Sequence, residues 1–384
     1  MNHKLFEIAQ DQLILPAEVH PLRDLLSRSP EEIMQWFTLT QKESFLSMAK
    51  DLTGSTNSYL KEKHLSEYLS AEKLTEIFSI LHSHVMQHPV WTHPFFINVF
   101  YARFDLDQLK LFAKHYFNQI KNTRQCVALS IGKFHGLNTK RHGENSQFVS
   151  ETVQILLSQL IADEYGVRTE ELTSYPSLRG ILDSYTHMAM YRQLFSGLQI
   201  PVTEENVPML HGVADNVLIQ RILAGHSEVS ELTSLVSVGP GMEWGVPAFF
   251  SFLLGGMIRF AHREKMDLTP EHLFVFIAHI KYDVLHALSV MIATALFIQD
   301  EKDLHEAKES LNAILAGRYD MMSSLYRFIF KEPCPDIKEI KLSEIYRMQS
   351  DHTGNLLKKE RAKVMDNVID IEQYRSLETV PFVY

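Results

Sequence analysis

The hydrophobic residues of this chain recur with a helical period along almost its whole length, so the sequence predicts an all-α protein. Strict apolar–polar alternation is hard to find, and no Asn-Gly or Asp-Gly pair signals a tight hairpin. Two helix starts are legible. Ser29-Pro30-Glu31-Glu32 combines a capping Ser, a Pro at the first helical position and a Glu three residues after the cap. Thr269-Pro270-Glu271 repeats this logic and predicts a long helix over 270–298.

Changes in composition divide the chain into three predicted parts. Residues 1–75 are more polar and predict an N-terminal helical extension that ends in a stretch rich in Lys and Glu. Residues 76–331 predict a helical bundle, which ends just before Pro333 and Pro335. Residues 332–384 are charged and predict one helix followed by a tail.

Charge and cysteine content exclude several classes of protein. The chain has 384 residues and a formal net charge of −10, and it has no basic stripe, so we expect no nucleic-acid partner. Cys126 and Cys334 fit neither a disulfide framework nor a metal spacing. The N-terminus lacks the apolar run of a signal peptide, and the apolar run over 244–258 is too short to cross a bilayer. We therefore expect a cytoplasmic protein that does not insert into a membrane.

The strongest chemical signal is the motif His279-x3-Asp283-x2-His286, which lies inside the predicted helix over 270–298. At ~100° per residue, the three side chains project from one narrow stripe of the helix. The flanking residues are apolar enough to bury that stripe, and burying two imidazoles with a carboxylate is costly unless they are paired or hold a cation. Two His and one carboxylate suit iron, manganese or zinc. The alternatives are a chance pattern and a buried His–Asp pair that only orders the core.

Three further residues are candidate ligands, and each also has an ordinary structural explanation. Glu243 enters a long apolar run and needs a partner there, although a surface Glu at a helix N-terminus would also be stable. Glu164 lies at the end of an amphipathic helix capped by Gly166, where an acid opposes the helix dipole; the alternative is a solvated Glu. His187 could bind a metal, but its residue type alone favours a core His bonded to a carbonyl group.

Another group of histidines is interpreted as structural. Its members, close to Trp91 in the sequence, are His82, His84, His88 and His93. His88 and His93 each precede a proline, which indicates helix boundaries, and we predict no metal there. Common catalytic patterns such as His-Glu-x-x-His, Gly-x-Ser-x-Gly, the phosphate-binding loop and Cys-x-x-Cys are absent from the sequence.

Taken in order, these features resemble the haem-oxygenase-like diiron oxidases and oxygenases, which are relatives of the thiaminase II and pyrroloquinoline-quinone-synthase-like proteins. The ordered motifs are His93-Pro-Phe-Phe, the stretch 104–120 with His115, Asp163-Glu164-Tyr-Gly166, Glu243-x3-Pro247 and His279-x3-Asp283-x2-His286-Ala. The last motif is specific in spacing and position, whereas the others carry weight as a series.

The resemblance implies a haem-oxygenase-like helical bundle that holds two Fe(II) ions per chain, with O2 as co-substrate. Manganese or a mixed pair is the alternative metal content. The resemblance further implies that Glu164 is the early carboxylate ligand and that Glu243 bridges the two ions. His279, Asp283 and His286 would complete the set, and Glu243 and Asp283 are the predicted catalytic residues.

One ligand of the family, a His that follows the early Glu, has two candidates in this chain. His187 fits best because the residues after it resemble the family segment that follows this ligand. Tyr175 stands at the more usual distance from Glu164. We predict His187 as the ligand and keep Tyr175 as the alternative.

These features predict an enzyme that activates O2 at a non-haem diiron centre. It would oxidise a small organic substrate by hydroxylation, N-oxygenation or oxidative C–C cleavage. Electrons would come from a reductase, the substrate or the protein itself, and the chain could assemble as a homodimer. Two alternatives stay open: a cofactor-free oxidase or thiaminase-like hydrolase on the same fold, and a non-catalytic helical metal-binding or interaction protein.

Overall fold

The computed structural model describes residues 7–9, 12–14, 22–53, 65–166, 186–334, 344–346 and 351–364. The α-helices in these ranges are α1 (Arg23–Leu26), α2 (Pro30–Thr53), α3 (Ala71–Met86), α4 (Pro94–Phe100), α5 (Leu106–Ile131), α6 (Ser146–Glu164), α7 (His187–Gly197), α8 (His211–Gly225), α9 (Glu231–Val236), α10 (Val246–Glu264), α11 (Phe274–Phe297), α12 (Glu301–Phe330) and α13 (His352–Val364). Short 3-10 turns lie at Pro89–Thr92, Gly143–Asn145, Val202–Glu204 and Glu344–Tyr346. This architecture confirms the predicted all-α class.

Helices begin and end where the local sequence satisfies their free backbone groups. Before α2, the Ser29 hydroxyl accepts from the amide of Glu32 (3.2 Å), and the Glu32 carboxylate accepts from the amide of Ser29 (2.8 Å). This reciprocal pair is the capping box that the sequence predicts. α6 ends at Glu164, and Gly166 follows with a φ of 68°, a left-handed conformation that glycine adopts without strain. The predicted glycine cap is confirmed, and it leaves Glu164 as the last helical residue.

The helix that carries the His279 motif, α11, lies at the centre of the bundle. It packs against α6, α7, α9 and α10, and α5 in turn packs on α6, α7 and α8. Val275, Phe276 and Met291 on α11 are completely buried. Because α11 is covered on several sides, polar side chains on it must find their partners inside the protein.

α11 begins at Phe274 rather than at residue 270, which corrects the predicted start. Ahead of the helix, the Thr269 hydroxyl accepts from the amide of His272 (3.4 Å), and the His272 ring accepts from the amide of Thr269 (3.1 Å). Such bonds between side chains and nearby backbone compete with helical hydrogen bonding, so the Thr-Pro-Glu signal marks a turn before the helix. The helix ends at Phe297, one residue from the predicted end.

The N-terminal segment is not purely helical, which corrects a second detail. Strands β1 (Glu7–Ala9) and β2 (Gln12–Ile14) form an antiparallel pair. Strands of three residues are too short for an alternating pattern to be recognised in the sequence. Further along, α2 packs on α3 and α10, and the Phe45 ring stacks on Phe78 at 3.8 Å. α2 therefore shares the core of the bundle, while the domain boundaries at 75 and 331 stay predictions.

A long apolar helical stretch, Glu231–Glu264, crosses the core. By length and composition alone it could span a membrane, but 89% of its most apolar window is buried inside the protein, as in the core helix of a bundle. Between α9 and α10 the stretch passes through a π turn, Ser237–Gly241, which contains Pro240. A proline cannot donate a helical hydrogen bond and its ring crowds the preceding turn, which gives the widened turn a physical cause. Glu243 is the second residue after this turn.

Candidate metal centre

Three buried side chains from three helices meet in the core. Glu164 is the last residue of α6, His187 is the first residue of α7, and His279 lies in the second turn of α11. One ligand atom from each lies within 4.8 Å of the other two. Nδ1 of His187 is 3.0 Å from Oε2 of Glu164. The structure thus brings together three residues that the sequence proposes as ligands.

Local hydrogen bonds orient the two histidines. The Thr186 side chain accepts from the amide of Ala189 at 3.1 Å, so that α7 starts at His187, next to the end of α6. Nδ1 of His279 is 2.6 Å from the carbonyl oxygen of Val275, one helical turn earlier. If Nδ1 donates this bond, Nε2 carries the lone pair, which is the tautomer that a metal-binding His needs.

The charge of Glu164 is stabilised by its neighbours. Burial alone raises the pKa of Glu164, but the neighbouring rings of His187, His279 and His286 outweigh burial and hold this pKa below its usual value. The rings of His187 and His279 are 4.4 Å apart, and Phe250 packs edge-on against His279 at 4.7 Å. At the end of α6 the carboxylate also opposes the helix dipole. The charge of Glu164 is therefore stabilised by the neighbouring histidines and not by its helix. This agrees with the unfavourable position at the helix end that the sequence indicates.

Glu243 lines the same cavity as Glu164, His187 and His279. It is 4% exposed. The cavity has a volume of about 30 Å³, which is room for about two water molecules. Its other polar lining residues are Tyr116, Gln119, Thr123 and Arg318. Four of the six predicted ligands therefore share one small buried space.

The remaining predicted ligands have different surroundings. Nε2 of His286 is 2.7 Å from Oδ2 of Asp163, whose side chain is 53% exposed, so His286 contacts a residue at the rim of the site. A carboxylate bonded to a ring nitrogen is the usual support behind a metal-binding His. Asp283 lies on α11 between His279 and His286, but only its backbone is described. Tyr175, the alternative to His187, lies outside the described residues.

Arg318 is the lining residue that sequence reasoning missed. It lies on α12 and is 5% exposed, and its Nη2 donates to the carbonyl oxygen of Met242 at 3.1 Å. A signal for its burial was present in the sequence. Arg318 stands seven residues after Leu311 and four before Met322, both completely buried, so it falls on the apolar stripe of its helix.

The histidines near Trp91 have structural partners. The ring of His82 bonds to Gln41 at 2.8 Å, that of His84 to Asn312 at 2.7 Å, that of His88 to the amide of Val90 at 3.1 Å, and that of His93 to the amide of Phe95 at 3.0 Å. His88 and His93 cap the turn Pro89–Thr92 and helix α4. The predicted helix boundaries at these His-Pro pairs are confirmed, and the absence of metal there stays a prediction.

Comparisons with known proteins do not identify the family of this chain. No protein-family model matches it, and no curated protein matches it. Among solved structures, the crystal structure of a TenA homologue from Pseudomonas syringae pv. tomato has a TM-score of 0.46 and 10% sequence identity. This match covers 67% of the present chain and 92% of the other. Because the TM-score is below 0.5, we base no inference on this likeness.

Proposed function

We propose that the cavity binds a non-haem iron centre and that the protein is an oxidoreductase that activates O2 to oxidise a small organic substrate. The observation that supports this proposal is the convergence of Glu164, His187 and His279 within 4.8 Å in the core. We also propose that the protein is related to the haem-oxygenase-like diiron oxidases and receives electrons from a donor such as a reductase. We further propose that it is cytoplasmic and assembles as a homodimer.

The donor set suits iron. One carboxylate and two imidazoles form the facial set of non-haem Fe(II) oxygenases, which leaves positions open for other ligands. Metal–ligand bonds of about 2.0–2.2 Å place the ligand atoms of one ion roughly 3–3.5 Å apart. The three ligand atoms here lie within 4.8 Å of one another, close to the spacing that one ion requires. The shared cavity is the place where such an ion would lie.

We further propose a second iron, held by Glu243 together with Asp283 and His286. Glu243 lines the cavity beside the first three ligands and could bridge the two ions. His286 is bonded to Asp163 at the rim. Because His286 is bonded to Asp163 and is not one of the three residues whose ligand atoms converge within 4.8 Å, we expect the second ion to bind more weakly than the first.

The protein's own residues would orient and shield the reaction. When bound, the iron supplies the activation of O2 and the oxidation of the substrate. The bond from His279 to the Val275 carbonyl fixes the direction of the ring, and Phe250 packs against it. Exclusion of bulk water strengthens every electrostatic interaction inside the cavity.

A thiaminase-like hydrolase is the main alternative. The TenA homologue is closer to this alternative than to a diiron oxygenase, but its TM-score of 0.46 gives it no weight here. Hydrolysis through a covalent intermediate commonly uses an activated Cys or Ser beside a base. Among the described lining residues there is no Cys or Ser, and burial raises the pKa of the Cys126 thiol, elsewhere in α5, to about 12. The side chains of the cavity therefore favour metal binding.

Anaerobic reconstitution with Fe(II) tests the proposal. Metal-free protein would be loaded with Fe(II), desalted and analysed for iron, and its O2 consumption would be measured with a reductant present. We expect between one and two irons per chain in the wild type, and loss of iron in His279→Ala. A folded wild type that retains less than one iron would refute the metal centre. Tight iron without O2 consumption would instead identify a structural metal, and O2 consumption without iron would identify a cofactor-free oxidase.

A further inference from the structure

Arg318 is a buried cation with no carboxylate bonded to it among the described residues. Besides the bond from its Nη2 to Met242, its guanidinium lies 5.4 Å from the centre of the Trp91 ring. Nη1 is buried and forms no hydrogen bond with any described residue. Other arginines of the chain show the usual arrangement: Arg141 pairs with Asp303 at 2.6 Å, and Arg192 pairs with Glu205 at 2.9 Å. Arg318 therefore differs from these two arginines in having no bonded carboxylate among the described residues.

The surroundings of Arg318 offset only part of the cost of burying its charge. Burial lowers the pKa of Arg318, while the nearby Tyr116 and Glu243 side chains act in the opposite direction. Glu243 contributes this attraction from the lining of the same cavity. A buried charge without a bonded partner is strongly unfavourable. Such a group is stable when a ligand supplies the missing charge.

We propose that Arg318 binds the carboxylate of the substrate, so that the substrate is a small carboxylic acid. The inference rests on the proposed function, because Arg318 lines the same cavity as Glu164, His187, Glu243 and His279. The planar guanidinium fork matches a carboxylate in shape and charge. Nη1 provides the donors that have no partner. The bond to Met242, the residue before Glu243, places the bound carboxylate next to the proposed metal ligands.

The charge of the cavity favours a carboxylate over a phosphate. One guanidinium neutralises one negative charge, and Glu164 and Glu243 already add two acidic side chains to the same lining. A phosphate dianion would leave an additional negative charge beside them.

Acetate and its neutral isostere acetamide test the proposal directly. The thermal unfolding midpoint would be measured against the concentration of each compound at fixed ionic strength, in metal-free and Zn(II)-loaded protein. We expect acetate, but not acetamide or inorganic phosphate, to stabilise the wild type. Arg318→Gln should weaken the acetate dissociation constant by about tenfold or more, because it removes a charge-assisted hydrogen bond. The matched control is Arg259→Gln. Arg259 is half-buried, lies over the ring of Phe100 and is bonded to two carbonyls, but it does not line the cavity.

Each result decides the question. Equal stabilisation by acetate and acetamide, or an acetate effect that persists in Arg318→Gln, would overturn the assignment, and a preference for phosphate would overturn the carboxylate. If Arg318→Gln does not fold, Arg318→Lys replaces it: a lysine keeps the charge but not the fork, so an unchanged acetate affinity would also contradict the proposal. Metal content measured on the same samples separates the two hypotheses. Zinc binding without acetate binding leaves the metal centre standing, and acetate binding through Arg318 without zinc binding leaves only the anion site.

Discussion

Replacing His187 with alanine tests the proposed metal centre at the ligand for which the sequence offers two candidates. The substitution removes a ring whose Nδ1 lies 3.0 Å from Oε2 of Glu164 and whose centre lies 4.4 Å from that of His279. It leaves Glu164 and His279 in place on α6 and α11. The three-residue group then has two members, and the buried carboxylate loses its bonded neighbour.

The expected losses follow from these contacts. Changing a group that merely supports a metal ligand costs about 10–100-fold in affinity, so removing a ligand should cost about 100-fold or more, or at least ~2.7 kcal/mol. The free energy of unfolding of the metal-free protein should fall by about 1–3 kcal/mol, because a buried acceptor loses its partner. His187→Ala is therefore expected to fold but to bind the first metal poorly.

His142→Ala is a matched control for the loss of a buried ring. Nε2 of His142 is 2.9 Å from the carbonyl oxygen of Leu296, and His142 does not line the cavity. Fe(II) affinity would be measured anaerobically by competition with a chelator, and unfolding by urea titration followed by circular dichroism. Comparable losses of stability with a loss of metal only in His187→Ala are the expected result. Wild-type affinity in His187→Ala, or equal losses in both variants, would refute the assignment and turn attention to Tyr175.

Two other predictions concern the rim of the site and the buried histidines outside it. Asp163→Asn keeps an acceptor for His286 but removes the charge, so it should weaken the affinity for the second iron about tenfold and leave the affinity for the first unchanged. If stepwise Fe(II) titration shows that the variant and the wild type bind the second iron equally well, Asp163 does not have this support role. Burial lowers the pKa of the His88 and His93 rings to about 3. The nearby charges of His84 and Arg318 act in the same direction at His88, and that of Arg327 does so at His93. Between pH 6.5 and about 3, these two rings bind more protons in the unfolded chain than in the folded protein. The contribution of the neutral rings to the free energy of unfolding is therefore complete above pH 6.5 and is lost as the pH falls. Urea titrations at pH 7, 6 and 5 should show a decline that approaches about 1.4 kcal/mol per pH unit for each ring, and a constant free energy of unfolding would contradict it.

Features that depend on a few neighbouring residues could be predicted from the sequence. The capping box at Ser29 and Glu32 and the glycine after α6 involve contacts within four residues, so pattern and structure agree there. Thr269 and His272 show the limit of this approach. The same polar side chains that can start a helix can also close a turn ahead of it, and local sequence does not decide between the two.

Features that depend on how helices pack could not be derived from spacing. The spacing of His279, Asp283 and His286 on one helix predicts a metal site from the sequence. Glu164 and His187 lie close to His279 only because α6 and α7 pack on α11. The family resemblance, not the pattern, proposed that these residues meet. Arg318 belongs to none of the sequence motifs. Its proposed role rests on the buried Nη1 atom, which has no hydrogen-bond partner among the described residues.

The polar side chains of the cavity are costly to bury when no ligand is bound, and their charges are complementary to the two ligands that we propose. Glu164 opposes the dipole of α6, and Arg318 has no bonded counter-ion among the described residues. Apolar residues of similar volume at such buried positions are often at least as stable, so stability alone does not account for these side chains. A metal ion would neutralise Glu164 and Glu243, and a substrate carboxylate would neutralise Arg318. The two proposed ligands would carry opposite charges within one small cavity, so the binding of each should lower the free-energy cost of binding the other.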